Sequence, residues 1–239
     1  MTTKTFKRAN GRKPEETREI KAQVGVIPNA DGSALFAFGD TIAIAAVYGP
    51  KTMHPQHMQD PKSGVLRCNY DMLSFSVPER KKPGPNRRSQ EISKVTEWAL
   101  KQAVNLEEFP ATVVDVTIMI LQANASTRCA GINAASLALA HAGVPMKELV
   151  ASVSIGKLDK NLVVDVDKDE EDFEEGEGAT DIAMSFLANS GKVTHLQLDG
   201  KITSKELDEA IKLGWKACQR IKEIQEETLK KVGEEHEEK

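Results

Sequence analysis

With 239 residues, of which 40% are hydrophobic and 28% charged, the chain has the composition of a folded globular protein rather than a disordered one. The net charge of −4 conceals an asymmetry. Residues 1–164 carry six more basic than acidic residues, and residues 165–239 carry ten more acidic than basic ones. A basic front part suits a polyanionic partner such as a nucleic acid.

Neither a membrane segment nor a metal centre built on cysteine or histidine is indicated. No apolar run approaches a membrane span and the start of the chain lacks an apolar signal region, so we expect a cytoplasmic protein without a membrane partner. Cys68, Cys129 and Cys218 form no Cys-x-x-Cys pair, which indicates neither a zinc site nor a disulfide framework. His54 and His57 lack further ligands nearby, and loop histidines are the simpler interpretation.

The first part of the chain predicts strands. Residues 1–13 are polar and basic, and we expect them to be loose at the start. Residues 21–27 alternate as a strand does, and the stretch ADGSALFAFGDTIAIAAVYGP then predicts a hairpin. Residues 51–63 contain Pro55 and Pro61 and form a loop long enough to be functional or mobile.

A strand over residues 65–77 leads into a basic loop. As a strand it places Arg67, Asn69 and Asp71 on one face and Tyr70 and Met72 on the other. The following stretch, PERKKPGPNRRSQEISK, has six basic residues against two acidic ones, Arg80 among them. Its prolines exclude a helix before residue 86.

We expect a helix from about Ser89, with its inner stripe formed by Ile92, Val95, Trp98, Ala99 and Val104. Arg87 and Arg88 then lie at its N-terminal edge, where the helix dipole disfavours cations. An anion bound between the two arginines would offset this cost, and the alternative is a solvated basic loop.

Residues 113–141 are the stretch on which the functional interpretation depends. An apolar, β-branched strand is followed by QANASTR and then by a helix of small residues, 130–140. Ser126 or Thr127 at the helix start predicts a cap on free backbone N–H groups, which with the helix dipole can hold an anion. Arg128 adds a fork of donors that suits phosphate. The alternative is an ordinary cap beside an exposed arginine.

The last part of the chain predicts a second set of strands and a long helix. Residues 149–158 and 162–166 form a hairpin, the acidic loop DVDKDEEDFEEGEGATD follows, and residues 182–187 and 193–198 form two more strands. Ser204 opens a helix, although the acidic third position of a capping box is missing after it. The acidic loop is either solvated or supplies carboxylates to a cation. No linker interrupts the chain, which predicts one α+β unit with mixed sheets.

These features point towards RNA chemistry. Basic side chains hold a nucleic acid backbone without reading its sequence, and Tyr70 could stack on the base of a single strand. A carboxylate such as Asp181 beside a scissile phosphodiester holds Mg²⁺ or supplies a proton to the leaving oxygen. Taken singly, Tyr70 is more often a core residue and Asp181 a turn residue.

Three stretches resemble the ribonuclease PH family, most closely the catalytic ribonuclease PH-like subunits of archaeal exosomes: ADGSALFAFGDTIAIAAVYGP, VLRCNYDMLSFSVPERKKPGPNRRSQEISKV and LQANASTRCAGINAASLALAHAGVPM. The resemblance implies a ribonuclease PH fold, a ribosomal S5 domain 2-like α+β arrangement. It implies a single domain over residues 10–232, with residues 1–9 and 233–239 as flexible termini.

The family's reaction is phosphorolysis, in which inorganic phosphate is a co-substrate and Mg²⁺ an expected cofactor. Phosphate attacks the last linkage at an RNA 3′ end and releases a nucleoside diphosphate, and the reverse reaction adds 3′ tails. The implied partners are single-stranded RNA, a non-catalytic sibling subunit in a hexameric ring of three heterodimers, and RNA-binding cap subunits.

The resemblance also implies roles for individual residues. Ser126, Thr127 and Arg128 match the family's phosphate-binding turn, and Asp181 matches its catalytic acid and candidate metal ligand. The RNA path is matched by four residues: Arg67, Tyr70, Arg87 and Arg88.

The chain departs from the family at three places. Asn124, Ala125 and Ser126 stand where the family has Asp-(Ala/Gly)-Gly, and the lost glycine restricts the backbone of the turn. Asn69 replaces an arginine. The family's second aspartate is either replaced by Glu175 or supplied by Asp172 through a longer loop. These changes leave open a rival function, an RNA-binding ring scaffold with weakened or lost catalysis.

Overall fold

Two sheets enclose a helix of small residues. The computed structural model describes residue 8, residues 10–173, residue 176 and residues 178–237, with side chains in the last helix as far as Lys231. In these residues the first sheet has the strand order β1-β2-β3-β5-β4, and the second has the order β7-β6-β8-β9. β4 runs parallel to β5, and the other neighbouring strands are antiparallel.

The first sheet contains β1 (Ile20–Val24), β2 (Gly32–Phe38), β3 (Thr41–Thr52), β4 (Val65–Met72) and β5 (Thr112–Gln122). The second contains β6 (Val150–Leu158), β7 (Asn161–Val164), β8 (Ala179–Leu187) and β9 (Val193–Asp199). The helices are α1 (Arg87–Lys101), α2 (Thr127–His141), α3 (Lys168–Glu171) and α4 (Ser204–Glu237). Two single 3₁₀ turns lie at Gln56–Met58 and Leu106–Glu108.

α2 is the centre of the fold. It contacts β2, β3 and β5 of the first sheet and β6 and β8 of the second. Residues 129–139 are buried without interruption, as expected for a helix that is apolar on every side. One hydrophobic cluster therefore joins both sheets, and a single domain over residues 10–232 stays a prediction.

α1 begins two residues earlier than expected. Asn86 is its N-cap and exchanges reciprocal hydrogen bonds with Ser89, at 2.8 and 2.9 Å. The predicted inner stripe is right for Ile92 and Ala99 but wrong for Trp98, which is 56% exposed beneath Lys94. Thr96 and Leu100 are buried instead, and α1 packs against β4, α2 and β9.

The end of β4 and the start of α4 also differ from the prediction. The strand predicted for residues 65–77 ends at Met72, and the chain then forms a loop beside the turn that follows β5. At the start of α4, Thr203 makes the capping exchange, since its N–H donates to Glu206 Oε2 at 2.8 Å and its hydroxyl accepts from the Glu206 N–H at 3.4 Å. Thr203 rather than Ser204 is therefore the capping residue, and Glu206 is the acidic residue three positions after it.

No helix in the described part of the chain is both long and apolar enough to cross a membrane.

Candidate active site

A cavity of about 680 Å³ opens where β5 ends and α2 begins. The loop after β4, Arg88 of α1, the first three residues of α2, the strands β6 and β8 and the short helix α3 all contribute to its wall. Six of the residues predicted from the sequence to form the site line it together: Arg80, Arg88, Ser126, Thr127, Arg128 and Asp181. Tertiary packing thus brings the basic loop, the strand-to-helix turn and the carboxylate into one place.

The turn has an unusual backbone for residues with side chains. Ala125 and Ser126 have φ values of 54° and 53°, in the left-handed region, where an L-residue costs roughly 1–2 kcal/mol. The turn therefore adopts a backbone that a glycine would take without cost, although it has no glycine. Another interaction must offset this strain.

The predicted cap of α2 by Ser126 is wrong. Ser126 is the N-cap residue, but its side chain makes no capping hydrogen bond. The hydroxyl instead lies 2.7 Å from Ser154 Oγ and donates to the Val166 carbonyl at 3.0 Å. The first N–H groups of α2 therefore have no side-chain cap, and such groups at a helix start bind anions.

Arg128 reaches across the cavity wall from the first turn of α2. Its guanidinium donates to Gln197 on β9 and lies 3.6 Å from Glu91 Oε1 on α1. The side chain is 17% exposed. These contacts hold the positive charge in place, so the exposed arginine of the alternative interpretation is excluded.

Asp181 lies on β8 and lines the cavity. Its Oδ1 atom is buried and has no hydrogen-bond partner among the described residues. Burial, reinforced by the nearby Glu171 charge and opposed by Arg128, raises the pKa of Asp181 to about 6. A carboxyl group with this pKa is partly protonated near neutral pH and can donate a proton to a leaving oxygen.

The second carboxylate expected in the cavity is not supplied by Asp172. Asp172 is exposed, ion-paired with Lys168 at 2.7 Å, and does not line the cavity, while Glu175 lies outside the described residues. Glu171 and Lys168 line the cavity instead. The signal that sequence reasoning missed is the pair Asp167 and Glu170, whose capping box starts α3.

Glu171 and Asp181 also share a small acidic recess of about 190 Å³ with Asp199. Mg²⁺ binds in proteins through one or two carboxylates and keeps several waters. The unpartnered Asp181 oxygen and the adjacent Glu171 fit that requirement. Among the residues with described side chains, however, no three carboxylate, imidazole or thiol groups converge as a complete cage.

The remaining predicted RNA contacts are spread out. Arg87, the first residue of α1, is exposed but lies outside the cavity lining. Arg67 lies on β4, five residues before Met72, which lines the cavity. Five residues of extended strand span roughly 16 Å, so Arg67 lies away from the cavity. It pairs with Asp115 at 2.5 and 2.9 Å. Burial alone would raise the pKa of Asp115, but hydrogen bonds from Arg67 and Lys51 lower it.

Tyr70 is only 4% exposed, and its ring packs in the core beside Gly131 of α2. A buried ring offers no face to an RNA base, so base stacking by Tyr70 remains a prediction that its burial does not favour. Phe75, which sequence reasoning missed, is 75% exposed. It lies in a groove of about 550 Å³ that shares Val77, Pro78 and Arg80 with the main cavity.

The fold and the cavity define a class: an α+β protein in which an uncapped helix start, an arginine and a carboxyl group of raised pKa line one cavity. Comparison with known proteins identifies the family. Residues 16–145 match domain 1 and residues 148–217 match domain 2 of the 3′ exoribonuclease family RNase PH. The border between the two matches falls between α2 and β6.

Several curated relatives cover nearly the whole chain. Exosome complex component Rrp41 of Thermococcus gammatolerans is 50% identical over 224 residues, which span 94% of this chain and 88% of that protein. Its counterpart in Methanopyrus kandleri is 46% identical over 223 residues, 93% of this chain and 92% of that protein. The chain belongs to the RNase PH family of 3′ exoribonucleases.

Solved structures agree on the fold. The crystal structure of rice (Oryza sativa) Rrp46 matches with a TM-score of 0.81 at 25% identity, covering 93% of this chain and all of that chain. An Archaeoglobus fulgidus exosome with RNA bound to its active site matches with a TM-score of 0.77 at 23% identity, covering 91% and 92%. The predicted α+β fold of the ribonuclease PH type is confirmed.

Proposed function

We propose that this chain is the catalytic subunit of an RNA-degrading exosome ring and shortens RNA from the 3′ end by phosphorolysis. One observation carries the proposal: a single cavity contains the uncapped start of α2, the Arg128 guanidinium and the Asp181 carboxyl group. The first two are receptors for an oxyanion, and the third is a proton donor. Their combination suits the attack of inorganic phosphate on a phosphodiester.

In the proposed reaction the turn and Arg128 hold inorganic phosphate. A phosphate oxygen forms a bond to the phosphorus of the last linkage, and the bond from that phosphorus to the 3′ oxygen of the preceding nucleotide breaks. Asp181 gives its proton to this departing oxygen, the nucleoside diphosphate leaves, and the RNA is one nucleotide shorter. The same steps in reverse add 3′ tails from nucleoside diphosphates.

Mg²⁺, when bound, would be held by Asp181 and Glu171 and would supply positive charge to the phosphate oxygens. The protein's own cations serve the same purpose. Arg80 and Arg88 line the cavity and offer charge to the RNA backbone, with Arg87 at the rim of α1 and Arg67 further along β4. Phe75 supplies an exposed aromatic ring on which a base can stack.

The ring partner is proposed to be a non-catalytic sibling subunit, with three heterodimers in a hexamer and RNA-binding caps above it, in the cytoplasm. Support comes from the Rrp41 relatives, which are named as exosome components. β9 is an edge strand and exposes Val193, Leu196 and Leu198, each at least 37% accessible. An exposed apolar edge strand is suited to pairing with another chain.

A second candidate is an RNA-binding ring scaffold with weakened catalysis. Two observations favour it: Arg128 already has Gln197 and Glu91 as neighbours, and Asp172 points into solvent. Incubating the assembled ring with single-stranded RNA, with and without phosphate, separates the two candidates. Phosphate-dependent release of nucleoside diphosphates supports the enzyme, whereas RNA binding without release supports the scaffold.

Arg128→Ala tests the phosphate site directly. We expect at least a hundredfold loss of phosphate-dependent cleavage, by analogy with the removal of one donor to a reacting oxyanion, which costs about 10²–10³ in rate. RNA binding should be retained. Arg220→Ala, on an exposed part of α4, is the matched control. Undiminished cleavage by the Arg128 variant would remove the phosphate assignment.

A further inference from the structure

The outer side of the turn before α2 is held by a buried threonine. Thr41, at the start of β3, is fully buried. Its hydroxyl oxygen accepts the Asn124 N–H at 3.0 Å and lies 2.8 Å from both the Asn124 and the Ala125 carbonyl oxygens. A single hydroxyl group thus contacts three consecutive backbone groups of the turn.

Arg18 contacts the same carbonyl from the N-terminal segment. Its Nη1 donates to the Asn124 carbonyl at 2.5 Å and to Thr41 Oγ1 at 3.2 Å. Its Nε and Nη2 donate to the two oxygens of Asp165, at 2.9 and 2.6 Å. The Arg18 side chain is 9% exposed and that of Asp165 is 0% exposed. An ion pair this deep costs desolvation, and it is tolerated because every oxygen has a donor.

Asp165, the ion-pair partner of Arg18, also contacts the turn. One of its carboxylate oxygens accepts from the Ser126 hydroxyl at 3.3 Å. Ser126 is therefore tied to the loop after β7, while Asn124 and Ala125 are tied to β3 and to Arg18. These three residues, Thr41, Arg18 and Asp165, are called the brace below. None of them lines the cavity.

The brace determines where the N–H groups of the turn point. A trans peptide is planar, so its N–H points opposite to its C=O. The carbonyls of Asn124 and Ala125 point outward to Thr41 and Arg18, so the N–H groups of Ala125 and Ser126 point to the other side. Both residues line the cavity, whereas Thr41 and Arg18 do not, so the cavity is the side available to these N–H groups. Successive N–H groups in such a turn form a concave receptor for an anion.

We propose that Thr41, Arg18 and Asp165 are positioning residues that keep the Ala125 and Ser126 N–H groups directed at the reacting phosphate. This inference rests on the proposed phosphorolytic function and deepens it. The brace matters in this chain because alanine and serine do not favour the left-handed backbone, so the turn depends on outside contacts to keep its shape. Loss of the brace should weaken phosphate binding through the turn and leave RNA binding unchanged.

Thr41→Val is the sharpest variant, because valine has the same shape as threonine without the hydroxyl. We expect the KM for phosphate to rise about tenfold, as for a lost hydrogen bond to a charged ligand site, with the Kd for RNA unchanged. Thr41→Ser restores the hydroxyl and should return the KM for phosphate to the wild-type value. A Thr41→Val ring with reduced thermal stability but an unchanged KM for phosphate would overturn the proposal.

A second measurement does not require a variant to fold. In crystals of the wild-type ring soaked with phosphate, the Ala125 and Ser126 nitrogens should lie within about 3.2 Å of phosphate oxygens. Phosphate bound elsewhere in the cavity would contradict the role of the brace. The two proposals fail differently: cleavage by the wild type without phosphate removes the proposed function, whereas phosphate-dependent cleavage with an unaltered KM in Thr41→Val removes only the brace.

Discussion

The left-handed turn can be tested by replacing Ser126 with glycine in one variant and with alanine in another. The glycine variant should be the more stable of the two, which is the reverse of the order at an ordinary helical position. At an ordinary helical position glycine is about 0.5–1 kcal/mol less stable than alanine. At residue 126 the φ value of 53° penalises alanine, and glycine escapes the penalty of roughly 1–2 kcal/mol. Both variants lose the contacts of the Ser126 hydroxyl with Ser154 and Val166.

The magnitudes follow from these terms. Losing the hydroxyl's contacts costs about 1–2 kcal/mol in each variant. In Ser126→Ala the backbone strain remains, so the full loss is observed. In Ser126→Gly the relief of backbone strain offsets part of this loss of stability. The greater conformational freedom of glycine in the unfolded chain reduces that offset. We therefore expect Ser126→Gly to be about 1 kcal/mol more stable than Ser126→Ala.

Urea unfolding of the wild type and both variants under one set of conditions measures this difference as a shift in midpoint at constant slope. Glu223, exposed in the middle of α4, provides the control pair, since Glu223→Ala should be more stable than Glu223→Gly. The same order at residue 126 as at residue 223 would refute the assignment of a strained left-handed turn.

Two further predictions concern the carboxyl group and the exposed ring. Burial raises the pKa of Asp181 from 3.8 to about 6, so its ionised form destabilises the folded state increasingly as the pH rises from about 4 to 6. Asp181→Asn should abolish diphosphate release, yet be up to about 2–3 kcal/mol more stable than the wild type at pH 8 and no more stable at pH 4. Urea unfolding in chelator at both pH values measures this, and a pH-independent difference would contradict it. Phe75→Ala should weaken single-stranded RNA binding by about 1–3 kcal/mol in a fluorescence titration, Phe75→Tyr should not, and equal affinities for both variants would exclude a stacking role.

Local patterns in the sequence were sufficient for the type and order of most elements. The alternation in β1, the apolar runs of β2 and β3 and the apolar run of β5 followed by small residues predict strands and a buried helix, because side-chain period reflects which faces are buried. The functional positions at the turn and at Asp181 came from residue types at a strand end and from the family resemblance. Contacts within a few residues determine such features.

What the tertiary structure alone decided are the contacts between distant parts of the chain. The period of α1 indicates a stripe, but only packing against β4 shows that Thr96 rather than Trp98 is buried. Glu171 enters the cavity because α3 is oriented by its packing. The brace joins residues that are 23 to 147 positions apart. Ser126 adopts a left-handed backbone because its contacts with those remote groups outweigh the local energetic cost. The sequence has no glycine at this position, so no local pattern predicts that backbone.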